Sequence, residues 1–180
     1  EYLDLTQRGK LPLLRPPVKE SAGGVIQIDA STRRNLEIAQ SLSGGREGSL
    51  IAAVDRTVTS GGARLLDRRL AAPSRDLGEI HARLAAVRAL CDDARLADEL
   101  RAELRSVPDM DRALSRLALE RGGPRDLAAI RSGIRGAGRI AARLAGEVPE
   151  RLAEAARALV GHETLVDLLQ AALVDEPPLL

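Results

Sequence analysis

The stretch that decides the fold is PRDLAAIRSGIRGAGRIAARL, residues 124–144. Its apolar positions recur at intervals of 3, 4, 3, 4 and 3 residues, which places them on one face of an α-helix; they are Leu127, Ile130, Ile134, Ala137, Ala141 and Leu144. Pro124 suits the first helical position, where its missing N–H removes no intrahelical hydrogen bond. The pattern therefore predicts a rod of roughly 30 Å, at ~1.5 Å rise per residue.

Similar apolar stripes recur on the amino-terminal side of this rod. One predicts a helix whose inner face includes the lone cysteine; its members are Leu77, Ile80, Leu84, Val87 and Cys91. Asp76 and Glu79 have the spacing of a capping box at its start, and a second stripe follows at Leu96, Leu100 and Leu104. Further helices are predicted near 1–9, 49–55 and 60–71, after Pro108, after Pro149 and over 163–174. The predicted class is all-α, a multi-helix bundle.

One segment has a different period. Val25–Ile28 alternates apolar and polar side chains, which predicts a short extended segment. Asp29 can then cap a helix predicted over residues 29–41. Residues 10–24 contain so many prolines and glycines that they are predicted to form a linker.

Three glycines lie inside the predicted rod, at Gly133, Gly136 and Gly138. Each costs about 1 kcal/mol relative to alanine in a helix. Either the rod is weakened or kinked there, or a neighbouring helix approaches it closely. The sequence leaves both interpretations open.

The composition of the chain excludes several functional classes. The net charge is only +1 although 29% of the residues are charged, so the surface is predicted to be mixed rather than basic. Phe and Trp are absent and Tyr2 is the sole aromatic residue, so no platform exists for stacking single-stranded bases. No apolar run approaches the ~18 residues that span a bilayer. The single cysteine fits a reducing compartment, and a start at Glu1 without methionine suggests a piece of a longer protein.

No stretch of the chain carries a recognisable active site. The loop Gly44-Gly45-Arg46-Glu47-Gly48-Ser49 lacks the lysine that a phosphate-binding P-loop needs. His81 and His162 lie far apart, and neither has a partner four residues away that could complete a helical zinc site. The sequence therefore predicts no catalytic, cofactor-binding or metal-binding residue.

Four arginines are candidates for contacts with phosphate or with another domain: Arg33, Arg34, Arg64 and Arg125. Adjacent arginines on a helix diverge by about 100°, so Arg33 and Arg34 cannot present one flat face. The alternative is that such arginines are solvated or bind carboxylates between helices.

Five motifs in the same order resemble the start of the core, or lever, domain of the MutS family of DNA mismatch-repair ATPases. They are the stretches 25–38 and 54–66, VPDMDRALSRLA at 107–118, PRDL at 124–127 and DEPP at 175–178. Two departures are visible: Gly61 stands where the family commonly has methionine, and Arg69 where it often has tryptophan. Packing around residues 60–70 is therefore expected to differ from that of relatives.

The resemblance implies a division of the chain. Residues 1–26 would end the connector domain and its linker, and residues 27–180 would form the first part of the core domain, without the clamp and ATPase domains. The fragment would hold no cofactor and would be no enzyme. The parent would be a homodimeric bacterial ATPase of the cytoplasm, acting at the nucleoid and away from membranes, that uses ATP and Mg²⁺, binds mismatched double-stranded DNA and recruits downstream repair factors. The fragment would be the lever that couples ATP binding and hydrolysis to DNA clamping.

Two other interpretations remain at the level of sequence. An independent α-helical interaction or scaffold module would use the leucine stripes to bind partner helices. A small enzyme would need a convergent set of polar groups, and the motifs supply none.

The domain assignment predicts the behaviour of the isolated chain. We expect no ATPase activity, and at best weak DNA binding that falls steeply with salt and ignores mismatches. Filter binding to matched and mismatched duplexes across a salt series measures this, and tight discrimination between them would contradict the assignment.

Overall fold

The computed structural model describes residues 24–177, and within that range the chain is helical. The helices are α1 Ala30–Asn35, α2 Leu50–Val54, α3 Ser60–Ala71, α4 Leu77–Asp92, α5 Ala94–Arg105, α6 Met110–Ala118, α7 Pro124–Arg143, α8 Glu150–Ala158 and α9 Glu163–Ala172. The predicted all-α class is confirmed. The extended segment after Gly24 forms an isolated antiparallel bridge between Val25 and Ser74. The helix predicted near residues 1–9 and nearly all of the linker predicted over 10–24 lie outside the described range.

Short polar side chains fix where most helices begin. The side chain of the residue before the helix accepts a backbone N–H from the first turn in six cases: Asp29, Ser49, Thr59, Asp76, Asp93 and Asp109. Such caps satisfy amides that the helix itself leaves free. Helix α7 begins at Pro124, as predicted.

Helix α7 lies at the centre of the bundle and packs against α5, α6, α8 and α9. Its buried face joins two apolar clusters. Leu100 of α5 packs with Ile140 and Leu144 at one end, and Ala113 of α6 and Leu169 of α9 pack with Ile130 at the other. The stripe that predicted the rod is therefore its core-facing side.

The glycines of α7 permit close approach. A Cβ added at Gly133 would lie 2.5 Å from Met110 Cγ and closer still to Met110 Sδ, and one at Gly136 would lie 2.8 Å from Val107 Cγ2. Gly138 is exposed, and a Cβ there would meet no atom within 4 Å. The close approach of a neighbouring helix is thus confirmed at Gly133, whereas at Gly136 a loop residue approaches instead. Helix α7 continues unbroken for 20 residues.

Helix α1 is shorter than predicted, because it ends at Asn35 instead of near residue 41. Glu37 takes a left-handed backbone conformation with φ of 49°, and its carboxylate accepts the Leu42 N–H at 2.6 Å. This turn places Ile38 in the core, where its carbonyl accepts the Ile51 N–H at 3.0 Å. The tertiary contact with α2 therefore overrides the helical period.

The stripe predicted to be the inner face of α4 is largely exposed. Leu77, Leu84 and Val87 are 69%, 59% and 58% exposed, and Cys91 is exposed as well, so its predicted core position is wrong. Another stripe faces the protein instead, with Glu79, Arg83, Ala86 and Leu90 buried or half-buried.

An ion pair with α8 accounts for the face that α4 buries. Arg151 of α8 donates to Glu79 Oε1 at 3.0 Å, and Arg83 donates to the same oxygen at 2.7 Å. Helix α4 carries apolar residues on several sides, so periodicity alone does not choose between its faces. Arg151 favours the face that bears Glu79, because it is the partner of Glu79 that lies on α8.

The surroundings of Gly133 and Gly138 predict that alanine at these two positions has opposite effects on the free energy of unfolding. Gly133→Ala should destabilise the fold by about 1–3 kcal/mol, because Met110 must move to admit the methyl group. Gly138→Ala should stabilise it by roughly 0.5–1 kcal/mol, because alanine favours the helix and meets open space. Urea unfolding of both variants checks this, and equal shifts in the same direction would contradict the close contact.

Candidate functional site

The chain offers a set of ion pairs that hold α7 against its neighbours. Arg139 Nε donates to Glu103 Oε2 at 2.7 Å, and Arg143 Nη1 donates to Glu99 Oε2 at 2.9 Å. The hydrogen bond from Arg139 is the main cause that lowers the pKa of Glu103. Residues four apart share a helix face, so the two pairs form a ladder that fixes the register of α5 on α7.

Asp126 connects α6 to α7. Its carboxylate accepts from Arg116 Nε at 2.9 Å and from the Gly123 backbone N–H at 3.1 Å. The side-chain hydrogen bond from Arg116 is the main cause of the lowered pKa of Asp126. The aspartate of the PRDL motif thus caps the first turn of α7 and also binds the neighbouring helix.

Arg64 connects α3 to the start of α6. Its Nη1 and Nη2 atoms donate to the two oxygens of Asp109, both at 2.9 Å, and Nη2 lies 3.3 Å from Asp111 Oδ2. Paired hydrogen bonds of this kind are stronger and more directional than single ones. They lower the pKa of Asp109 to about 2, chiefly through the hydrogen bond from Arg64.

The structure does not gather the other predicted arginines into one surface. Arg33 is half-buried and donates to the Ala71 carbonyl at 3.1 Å, linking α1 to the end of α3. Arg125 Nε donates to the Pro177 carbonyl at 3.0 Å. Arg34 is exposed and its side chain has no partner among residues 24–177. Contacts of these residues and Arg64 with phosphate or another domain stay predictions.

Sequence reasoning missed several interhelical contacts. The ladder between α5 and α7 had a visible signal, because two acids and two arginines each recur at a spacing of four. The pairing of Arg116 with Asp126 had none, since only the tertiary structure brings these residues together. The burial of Arg131 was also missed. Its spacing gave a signal, because it stands four residues after Leu127 and three before Ile134 and therefore shares their apolar face.

The described part of the chain contains neither a metal-binding cluster nor a membrane-spanning helix. Among residues 24–177, no group of three or more His, Cys, Asp or Glu residues could hold a metal ion. No helix in that same range is long and apolar enough to cross a membrane.

Comparison with known proteins decides the family. MutS domain III matches residues 31–180. The chain belongs to the MutS family. Over its full length it is 71% identical to the DNA mismatch repair protein MutS of Cereibacter sphaeroides, and 66% identical to the protein of that name from Paracoccus denitrificans. The corresponding protein of Ruegeria pomeroyi is 61% identical.

The MutS relatives are much longer than this chain. It spans 20% of the Cereibacter and Paracoccus proteins and 21% of the Ruegeria protein. The matched residues 31–180 include α7 and the helices packed around it. The ion pairs above are therefore contacts within MutS domain III.

The pair between Arg64 and Asp109 predicts a pH-dependent contribution to stability. The pKa of Asp109 is lowered from 3.8 to about 2, so its contribution is present above about pH 4 and disappears as the pH falls through about 2. Asp109→Asn removes the charge and keeps a good helix cap. Its Tm should lie below that of the unmodified chain at pH 7, and the difference should shrink between pH 4 and pH 2.

Asp111→Asn is the matched control for this measurement. Asp111 is 81% exposed and meets only one nitrogen of Arg64, so the substitution should change Tm little at any pH. A Tm difference for Asp109→Asn that stays constant between pH 7 and pH 2 would contradict the role of the charge.

Proposed function

We propose that this chain is the first part of the core, or lever, domain of a DNA mismatch-recognition ATPase. In that role it couples ATP binding and hydrolysis elsewhere in the parent protein to the clamping of DNA. Membership of the MutS family supports the placement, because the relatives bear the name of a DNA mismatch repair protein.

The length and the packing of α7 support the mechanical part of the proposal. This helix continues for 20 residues, about 30 Å at ~1.5 Å per residue, and packs against four other helices. A close-packed core resists gradual deformation and changes between discrete arrangements. Displacement at one end of such a helix is therefore passed to the other end.

The remaining assignments concern the parent polypeptide. Residues 1–26 would end the connector domain, and residues 27–180 would begin the core domain, close to the start of the family match at residue 31. The parent would be a homodimer of the bacterial cytoplasm that uses ATP and Mg²⁺. It would bind mismatched double-stranded DNA and recruit downstream repair factors. The alternative of a scaffold module unrelated to repair loses support, since the chain belongs to the MutS family.

A coupling experiment in the full-length polypeptide tests the lever. Paired substitutions Ile134→Pro and Ala137→Pro break the middle of α7, because each removes a helical hydrogen bond and clashes with the preceding turn. Mismatched DNA should still bind without nucleotide, while its release on ATP addition slows at least about tenfold, a barrier change near 1.4 kcal/mol. Stopped-flow fluorescence of a labelled mismatched duplex measures the release rate.

Two milder variants distinguish a loss of coupling from general unfolding of the domain. Gly133→Ala disturbs the contact with Met110 and should slow ATP-driven release, whereas Gly138→Ala meets open space and should leave it unchanged. Normal ATP-driven release in both the proline variant and Gly133→Ala would refute the lever.

A further inference from the structure

Arg131 is the most deeply buried charged side chain of α7, with 4% of its surface exposed. Its Nη2 atom donates to the Asp175 carbonyl at 3.1 Å. Its Nε and Nη1 atoms are buried and have no hydrogen-bond partner among the described residues. One backbone carbonyl therefore receives the only hydrogen bond of this guanidinium within residues 24–177.

Such an arrangement is costly for a guanidinium. Arginine stays charged at any accessible pH, so it cannot escape burial by losing a proton. Buried charges in proteins are normally paired, and a buried charge without a partner strongly destabilises the fold. The buried N–H groups of Arg131 therefore call for an anionic acceptor.

Neither acid within residues 173–177 supplies that acceptor. Asp175 offers Arg131 its backbone carbonyl, while its carboxylate lies 3.5 Å from Gln170 Nε2. Glu176 is exposed and lines a groove of about 460 Å³ between α7 and the C-terminal segment, defined as residues 173–177. Ala128, Ala129 and Ser132 of α7 also line this groove, so a further stretch of polypeptide can lie against α7 there.

We propose that Arg131 is one half of a buried ion pair whose acidic side chain comes from a part of the longer polypeptide other than residues 1–180. The inference rests on the proposed placement of this chain in a larger protein. A carboxylate fits because its oxygens accept paired hydrogen bonds from a guanidinium.

The dependence of one substitution on chain length tests the proposal. Arg131→Met keeps an unbranched apolar side chain and removes the charge. In the 180-residue chain, amide hydrogen exchange in α7 and the C-terminal segment should change by less than about threefold, since an unpaired buried charge is lost together with one hydrogen bond. In the full-length polypeptide, exchange there should accelerate at least about tenfold, because the acid is left buried without its partner.

Arg135→Met is the matched control. Arg135 lies on the same helix and donates to Gln170 Oε1 of α9 at 2.9 Å, but it is exposed. Its substitution should alter exchange to the same extent at both chain lengths. Equal effects of Arg131→Met at both lengths, whether large or absent, would overturn the proposal, because bound water or an acceptor within residues 1–180 would then suffice.

A second variant covers the case in which full-length Arg131→Met does not fold. Arg131→Lys keeps the positive charge and loses the planar fork, so it should fold and show a smaller acceleration that again appears only in the full-length polypeptide. An unchanged exchange rate for this variant at both lengths would also overturn the proposal. Hydrogen exchange does not depend on ATP-driven DNA release, so failure of the lever and failure of this ion pair are distinguishable.

Discussion

The close packing of other segments against one face of α7 is the constraint on which the rest of the structure depends. Met110 lies where the side chain of any larger residue at position 133 would stand, and Val107 does the same at position 136. Small residues at these points let α6 and the loop before it reach the backbone of α7. The helical cost of two glycines, about 1 kcal/mol each, is offset by the apolar contacts that this approach allows. The two core clusters then form at either end of the same helix.

Arginine side chains supply much of the specificity that a core without Phe or Trp lacks. Leucine, isoleucine, valine and alanine bury area without strong directional preference, so several helix registers would be similarly favourable. The pairs of Arg139 and Arg143 with Glu103 and Glu99 favour one register between α5 and α7. Exposed pairs contribute little stability individually. Their main effect here is to favour one arrangement of the helices. Asp126 also caps the first turn of α7 by accepting the Gly123 N–H.

Helices α1 and α4 show where apolar periodicity fails to predict helix length and the buried face. The helical period continues past Asn35, yet a left-handed turn at Glu37 ends α1 because Ile38 gains burial against α2. In α4 the apolar stripe through Leu84 and Val87 has ideal spacing and still faces outward. Local propensity is a weak preference compared with burial and ion pairing over a whole interface. Both differences lie where a contact distant in sequence competes with the local pattern.

The sequence by itself determined the helical class, the helix caps at Asp29 and Asp76, the central rod and the likeness to the MutS family. These depend on local hydrogen bonding, on a spacing of three and four, and on short motifs, all of which are visible along a single chain. Only the tertiary structure decided which face of α4 is buried, which glycines of α7 permit close approach, and which arginines find carboxylates. Those features depend on distances between residues far apart in sequence. The hydrogen bond from Arg131 to the Asp175 carbonyl belongs to this second group, because the two residues lie far apart in the sequence.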